Sequence, residues 1–146
     1  MKKELIAARE PKSPISELFR TLRTNIQFMN TKSGLKSLLV TSASPSEGKS
    51  WVSSNLATTF AQAGKKVILV DCDMRKGRLF SVFNVPPLPG LSNYLSGVGS
   101  DGESGDINIE AYIRRTEVSN LYLIPAGSIP PNPSELLVTE KMAETM

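Results

Sequence analysis

No histidine occurs anywhere in this chain, which removes Ser-His and Cys-His catalytic pairs and histidine-ligated metals at once. A general base must then be a carboxylate, a lysine or water. Cysteine is almost as scarce. The single Cys72 excludes an internal disulfide framework and fits a reducing compartment; it reads as a small buried filler rather than a nucleophile. No apolar run approaches the roughly 20 residues that a membrane-spanning helix needs. The opening Met1-Lys2-Lys3-Glu4-Leu5-Ile6-Ala7-Ala8-Arg9 carries charge on both sides of a very short apolar stretch, unlike a signal peptide. The expected location is the cytoplasm.

Charge of one sign is also lacking in any excess. A formal net charge of +3 suits an anionic ligand or surface and is too small to argue for nucleic acid. With 146 residues, 40% of them hydrophobic, the chain has the composition of a globular protein. Its length suits one domain with a substantial core, short for a complete doubly wound α/β fold.

What is present is organised. Ser13 is a candidate N-cap and Pro14 a first helical residue. Beyond them Ile15, Leu18, Phe19, Leu22, Ile26 and Met29 recur at helical spacing, which predicts an amphipathic helix over 14–30 with one buried stripe. Gly34 ends the following turn. Residues 36–42 form an apolar run without alternation, predicting a parallel strand covered on both faces. A helix over 49–63 stopping at Gly64 and a strand over 67–71 follow, completing a right-handed βαβ unit. Residues 77–105 are loop-rich, with a short helix around 91–95. Residues 121–125 predict a third strand. Asn132, Pro133 and Glu135 open a helix expected to run to Met146. The predicted class is α/β, a parallel sheet flanked by helices in a single domain.

Two segments carry chemistry. In the first, Ser42-Ala43-Ser44-Pro45-Ser46-Glu47-Gly48-Lys49-Ser50 joins an apolar run to a helix start. Backbone N–H groups at such a helix start point at an anion, aided by the helix dipole. Gly48 lets the backbone approach a phosphate, Lys49 reaches its β/γ oxygens, and Ser50 offers a hydroxyl to Mg²⁺. The general pattern has glycine five residues before Gly48, where this chain has Ala43, so Pro45 and Ser46 must shape the turn. The nucleotide-binding set is read as Ser44, Pro45, Ser46, Glu47, Gly48, Lys49, Ser50 and Trp51. Trp51 lies either on nucleotide or against the core.

In the second segment, Val67-Ile68-Leu69-Val70-Asp71-Cys72-Asp73-Met74-Arg75, a strand delivers two carboxylates to its carboxyl end. Without histidine, Asp71 and Asp73 are the strongest candidates for a base on an incoming hydroxyl, or for a metal contact alongside Ser50. The plainer alternative is a solvated strand end with Arg75 and Arg78 as ion-pair partners. Arg75 and Arg78 are also candidates for a nucleotide or an acidic partner. Glu17, Arg20 and Arg23 sit three apart on the side of the first helix expected to be exposed, where Glu–Arg spacing alone gives a helix-surface contact of about 0.2–0.5 kcal/mol.

These motifs together resemble the bacterial tyrosine kinases of capsule and exopolysaccharide synthesis, P-loop proteins akin to the partition and division-site ATPases. Ser42 to Ser50 is similar to the family's Walker A motif, and Val67 to Arg75 to its Asp-x-Asp Walker A′ motif. Glu17-Leu18-Phe19-Arg20-Thr21-Leu22-Arg23 resembles the family's Glu-x-x-Arg-x-x-Arg helix. Pro89-Gly90-Leu91-Ser92 and Pro130-Pro131-Asn132-Pro133-Ser134-Glu135-Leu136-Leu137 are further family-like phrases. The resemblance implies ATP and Mg²⁺ as cofactors, with Lys49, Asp71 and Asp73 catalytic. It implies metal contacts at Ser50, Asp71 and Asp73, and a ring-forming subunit contact at Glu17, Arg20 and Arg23. It also implies autophosphorylation on tyrosine, protein tyrosine substrates, and activation by the cytoplasmic tail of a membrane-anchored partner. That partner would hold the chain at the inner face of the membrane. Two family features are missing: a Walker B strand ending in Asp, and a C-terminal tyrosine cluster that Tyr94, Tyr112 and Tyr122 do not replace. The chain therefore reads as the N-terminal portion of the kinase domain. Two other classes compete. A partition-type ATPase usually carries an early lysine where this chain has Ser44, and a nucleotide-binding assembly factor would show no phosphotyrosine.

Overall fold

The computed structural model describes residues 3–29, 34–99, 102–105 and 108–146. Asn30, the last residue of the first predicted helix, lies outside them, as do residues 100 and 101 of the glycine-rich loop. The described chain runs α1 (Ile6–Arg9), α2 (Pro14–Met29), α3 (Lys49–Gln62), β1 (Val67–Val70), α4 (Leu79–Phe83) and α5 (Leu91–Ser96). A 3-10 turn (Ile109–Tyr112), β2 (Arg114–Arg115), β3 (Leu121–Ile124), α6 (Pro133–Leu136) and α7 (Glu140–Thr145) follow. The chain divides into two compact units, residues 1–67 with 117–121, and residues 68–116 with 122–146.

The first unit is helical. Ser13 Oγ accepts the Ser16 N–H at 3.2 Å, so it caps α2 as its position before Pro14 predicts. α1 and α2 pack on α3 around Phe19, Leu56 and Phe60, flanked by Ile26, Leu35, Val52 and Val67. Buried Asn55 ties α1 down. It accepts the Ala7 N–H at 3.0 Å and donates to the Glu4 carbonyl at 2.9 Å. α3 ends as its glycine predicts: Gly64, at φ +80°, donates to the Ala61 carbonyl while Lys65 N–H reaches the Phe60 carbonyl. That pair of bonds satisfies carbonyls the helix leaves open.

Two expectations fail in this unit. The predicted stripe of α2 is buried only at Phe19, with Ile26 half-buried. Ile15, Leu18, Leu22 and Met29 are exposed. Residues 36–42 form no strand, and Leu39 is 83% exposed. Apolar and β-branched composition alone does not make a strand, because its backbone must find a neighbouring ladder. Among the described residues none lies against this segment, so the predicted βαβ unit lacks its first strand.

The second unit contains the sheet, ordered β1–β3–β2, with the first residues of β1 and β3 counted in the first unit. Asp71 N–H donates to the Ile124 carbonyl and Val67 N–H to the Asn120 carbonyl, an equal offset that sets β1 and β3 parallel. β2 joins β3 antiparallel, with Arg114 opposite Leu123, a strand the sequence reading did not anticipate. Central β3 is the buried strand, and the core gathers Met74, Leu91, Tyr94, Tyr112, Ile124 and Leu136. The long C-terminal helix is instead two short ones. Thr139 breaks it, with extended backbone and its side chain accepting the Met142 N–H at the start of α7. A β-branched residue that can cap favours that restart over continuation. No helix among the described residues is long and apolar enough to cross a membrane.

Candidate functional site

The phosphate-loop segment belongs to the first unit. Gly48 sits at φ +95° immediately before α3, a conformation open to glycine and costly for most residues. Ser46 also takes a positive φ, 63°. The first bond of the helix ladder runs from Val52 N–H to the Gly48 carbonyl. The N–H groups of Lys49, Ser50 and Trp51 therefore precede the ladder, as donors at the positive end of a 14-residue helix. Lys49 Nζ donates to Ser42 Oγ at 2.9 Å, and Ser42 Oγ donates to the Ser44 carbonyl at 2.9 Å. Glu47 closes the turn by accepting the Ser44 N–H on Oε2 at 3.0 Å. Ser42, Ser44, Glu47 and Lys49 thus form one bonded loop. Trp51 meets Phe19 edge-on with ring centroids 5.1 Å apart, which places it in packing with α2.

The carboxylate segment belongs to the second unit, and its two acids differ in kind. Asp71 follows β1 and is 5% exposed. Its Oδ1 accepts the Asp73 N–H at 3.2 Å and its Oδ2 the Leu79 N–H at 3.1 Å. Burial raises its pKa, the backbone donors at Leu79, Asp73 and Arg78 pull it down, and the neighbouring Asp73 charge adds to the rise. Asp73 is exposed. Its Oδ1 accepts the N–H groups of Lys76 at 2.9 Å and Arg75 at 3.3 Å, while Oδ2 has no hydrogen-bond partner among the described residues. Burial and the Asp71 charge raise the Cys72 thiol, which packs half-buried beside the core as the filler reading expects. Gly77 holds the loop close: a Cβ there would lie 2.6 Å from Ala126 Cβ and 3.0 Å from Asp71 Oδ2.

The ionic pattern expected on α2 is only partly present. Arg20 binds Glu17 and the Pro11 carbonyl. Arg23, expected on the exposed side, is half-buried and donates from Nη1 to the Thr59 carbonyl at 2.8 Å. It is spent on α3, because its long stem lies along apolar surface and carries the guanidinium to a helix carbonyl.

The donors present suit Mg²⁺. It binds hard oxygen through one or two carboxylates plus phosphates and water, not through a protein cage. Taken separately, the first unit offers the Ser50 hydroxyl and the second an uncommitted Asp73 carboxylate oxygen. Among the described residues no group of three His, Cys, Asp or Glu side chains makes a closed metal site.

Sequence reasoning places a loop over 126–131 at the end of the third strand, without anticipating that its Ala126, Gly127 and Ile129 wall the groove that Asp73 lines. Leu91 N–H donates to the Pro125 carbonyl and Ser92 N–H to the Ala126 carbonyl. Gly127, at φ +87°, was the available signal.

A family model described as the CobQ/CobB/MinD/ParA nucleotide binding domain matches residues 38–86. A putative tyrosine-protein kinase CapB of Staphylococcus aureus is 44% identical over 134 residues, 92% of this chain and 55% of that protein. The tyrosine-protein kinase YwqD of Bacillus subtilis is 41% identical over 144 residues, 99% of this chain and 57% of that protein. Among solved structures, the chimerical protein CapA2B2 superposes with a TM-score of 0.86 at 40% identity, covering 99% of this chain and 60% of that one. The kinase domain of the Escherichia coli tyrosine kinase ETK gives 0.86 at 34% identity, covering 97% and 52%. The chain thus spans little more than half the length of these relatives.

Proposed function

Because this chain belongs to the bacterial tyrosine kinase family, we propose that it binds ATP with Mg²⁺ and transfers the γ-phosphoryl group to tyrosine hydroxyls, including its own kind's, in capsular or exopolysaccharide synthesis and export. Asp73 carries the reading. One of its oxygens is fixed by two backbone N–H groups and the other is uncommitted, the arrangement needed to accept a proton from a hydroxyl in a chain without histidine. Lys49 and the N–H groups at the start of α3 hold the phosphates, and Ser44 to Glu47 shape the turn around them. Trp51 lies beside the nucleotide while packing on Phe19. Mg²⁺ would draw on the Ser50 hydroxyl of the first unit and, in the second, on the Asp73 carboxylate, with Asp71 contributing only where it gives up a backbone N–H. When bound, that ion neutralises charge on the phosphate oxygens. Asp71 also fixes the loop that presents Asp73.

The same reading gives the protein a membrane-anchored partner whose cytoplasmic tail activates it and keeps it at the inner face of the cell membrane. It also gives self-association in a ring. There Glu17 and Arg20 form the subunit contact on α2, and Arg23 supports it from within by holding α2 to Thr59.

The test is incubation with ATP, Mg²⁺ and an activator tail, followed by detection of phosphotyrosine. Phosphotyrosine should form, and Asp73→Asn should lower it about 100-fold or more. ATP hydrolysis without phosphotyrosine would overturn the kinase reading in favour of a partition-type ATPase. Nucleotide binding with neither product would make the chain an assembly factor.

A further inference from the structure

We propose that the groove beside Asp73 is a peptide subsite that takes a tyrosine flanked by acidic residues. The proposal rests on the kinase reading and names its substrate class. The groove lies wholly within the second unit and is lined by Asp73, Arg75, Lys76, Phe80, Pro87 and Ile129, among others. Its volume of about 190 Å³ falls below the roughly 300–1,000 Å³ of small-molecule pockets. It suits one side chain of a longer ligand.

Three properties of the lining select that ligand. Phe80, Pro87 and Ile129 supply an apolar wall for an aromatic ring, and Ile129 is 75% exposed, an apolar side chain that no core of this fold uses. Asp73 lines the same groove, and a phenolic hydroxyl entering it would need an acceptor such as this carboxylate. Arg75 and Lys76 follow directly in sequence, and among the described residues neither has a carboxylate partner. Two unpaired cations around one carboxylate favour a peptide with negative charge on either side of its tyrosine.

The walls are also fixed in advance. Asn93 is 3% exposed. Its Oδ1 accepts the N–H groups of Gly90 at 3.0 Å and Ser128 at 3.2 Å, and its Nδ2 donates to Ser128 Oγ at 3.1 Å. A Cβ on Gly127 would lie 2.5 Å from Ser92 Oγ. Ile129 therefore follows a locked loop, and little ordering is left to oppose binding.

Fluorescence anisotropy with dye-labelled Glu-Glu-Tyr-Glu-Glu and Gln-Gln-Tyr-Gln-Gln peptides tests this, with an ADP titration beside each. The acidic peptide should bind about tenfold more tightly, a modest factor because the cations are solvated, and the preference should shrink with added salt. Arg75→Gln with Lys76→Gln should erase the preference, and Ile129→Ser should weaken both peptides alike. Retained affinity for the glutamine peptide shows that the double variant is folded. Equal affinities of the two peptides for the native chain, or no binding of either, would overturn the subsite while ADP binding leaves the kinase reading standing. Loss of ADP affinity in the double variant would assign the two cations to nucleotide and overturn the proposal. Absence of ADP binding to the native chain would instead overturn the kinase reading, and the peptide series, which needs no nucleotide, still decides the groove.

Discussion

Leu38-Leu39-Val40 and Leu121-Tyr122-Leu123-Ile124 are close equivalents as sequence, yet they end in opposite environments. The first forms no regular element and faces solvent, with Leu38 and Leu39 exposed. The second is the buried middle strand of the sheet. Propensity does not separate them; partners do. β3 has β1 on one side and β2 on the other, whereas no described strand lies beside Leu38–Val40. The loop that follows Leu38–Val40 is nevertheless fully formed. The turn at Ser42–Lys49 is closed by contacts spanning no more than seven residues, so it does not depend on a ladder. Strand pairing is a long-range event, and a phosphate loop at a helix start is largely a local one.

The comparison breaks most visibly on truncation. Leu123 is 0% exposed, and Leu123→Ala should destabilise the fold by about 3 kcal/mol through lost burial and a residual cavity. Leu39→Ala, at a side chain already in water, should change stability by less than about 0.5 kcal/mol. Urea titrations of the two variants check this. A large loss at Leu39 would mean that the segment pairs with another strand in solution.

The two loops differ in a second way, through their charges. Lys49 is held by a single hydroxyl, while Asp71 is buried and braces its loop through both oxygens. Asp71→Ala leaves the buried Leu79 N–H without an acceptor and should cost about 2 kcal/mol. Its titration sharpens the contrast. Asp71 is raised from the ordinary 3.8 by burial, so the folded state keeps a proton that the unfolded state has released. Stability attributable to this group is therefore fully present below about pH 4, falls as pH rises through the raised folded value, and is level above it. Urea midpoints measured from acid to neutral pH should show this decline in the native chain and lose it in Asp71→Asn. An unchanged profile would mean that another carboxylate governs it.

Local signals were the legible ones. The cap at Ser13, the stop at Gly64, the helix start at Gly48 and strands β1 and β3 follow from residue type and spacing. The bonds that close the turn around Lys49, from Ser42 and Glu47, are equally local but were not anticipated. What could not be read depends on contacts distant in sequence. Arg23 turns inward because Thr59 on another helix offers a carbonyl, and Asn93 fixes a loop 35 residues away. The α2 stripe was drawn from periodicity, which locates an apolar face without showing what covers it. The split of the last helix at Thr139 was a local signal that was present and overlooked, since a capping residue stood inside the run.

The smallest effect isolates backbone conformation from contact. Gly48 has nothing within 4 Å of where a Cβ would sit, and only its φ of +95° favours glycine. In the carboxylate loop Gly77 works the other way, through space, with Asp73 O 2.8 Å from its would-be Cβ. Gly48→Ala should therefore cost only about 1 kcal/mol, the strain of a left-handed residue without a clash. Gly48→Asn should recover part of it, because a short polar side chain tolerates that region. Thermal melts of the two variants read stability, and an ADP titration reads the loop. If the N–H groups that follow Gly48 hold a phosphate as proposed, this dihedral helps to orient them, and ADP affinity should fall more in Gly48→Ala than in Gly48→Asn. Equal losses in both would mean that a side chain at this position obstructs the nucleotide itself, and that Gly48, like Gly77, is there for closeness.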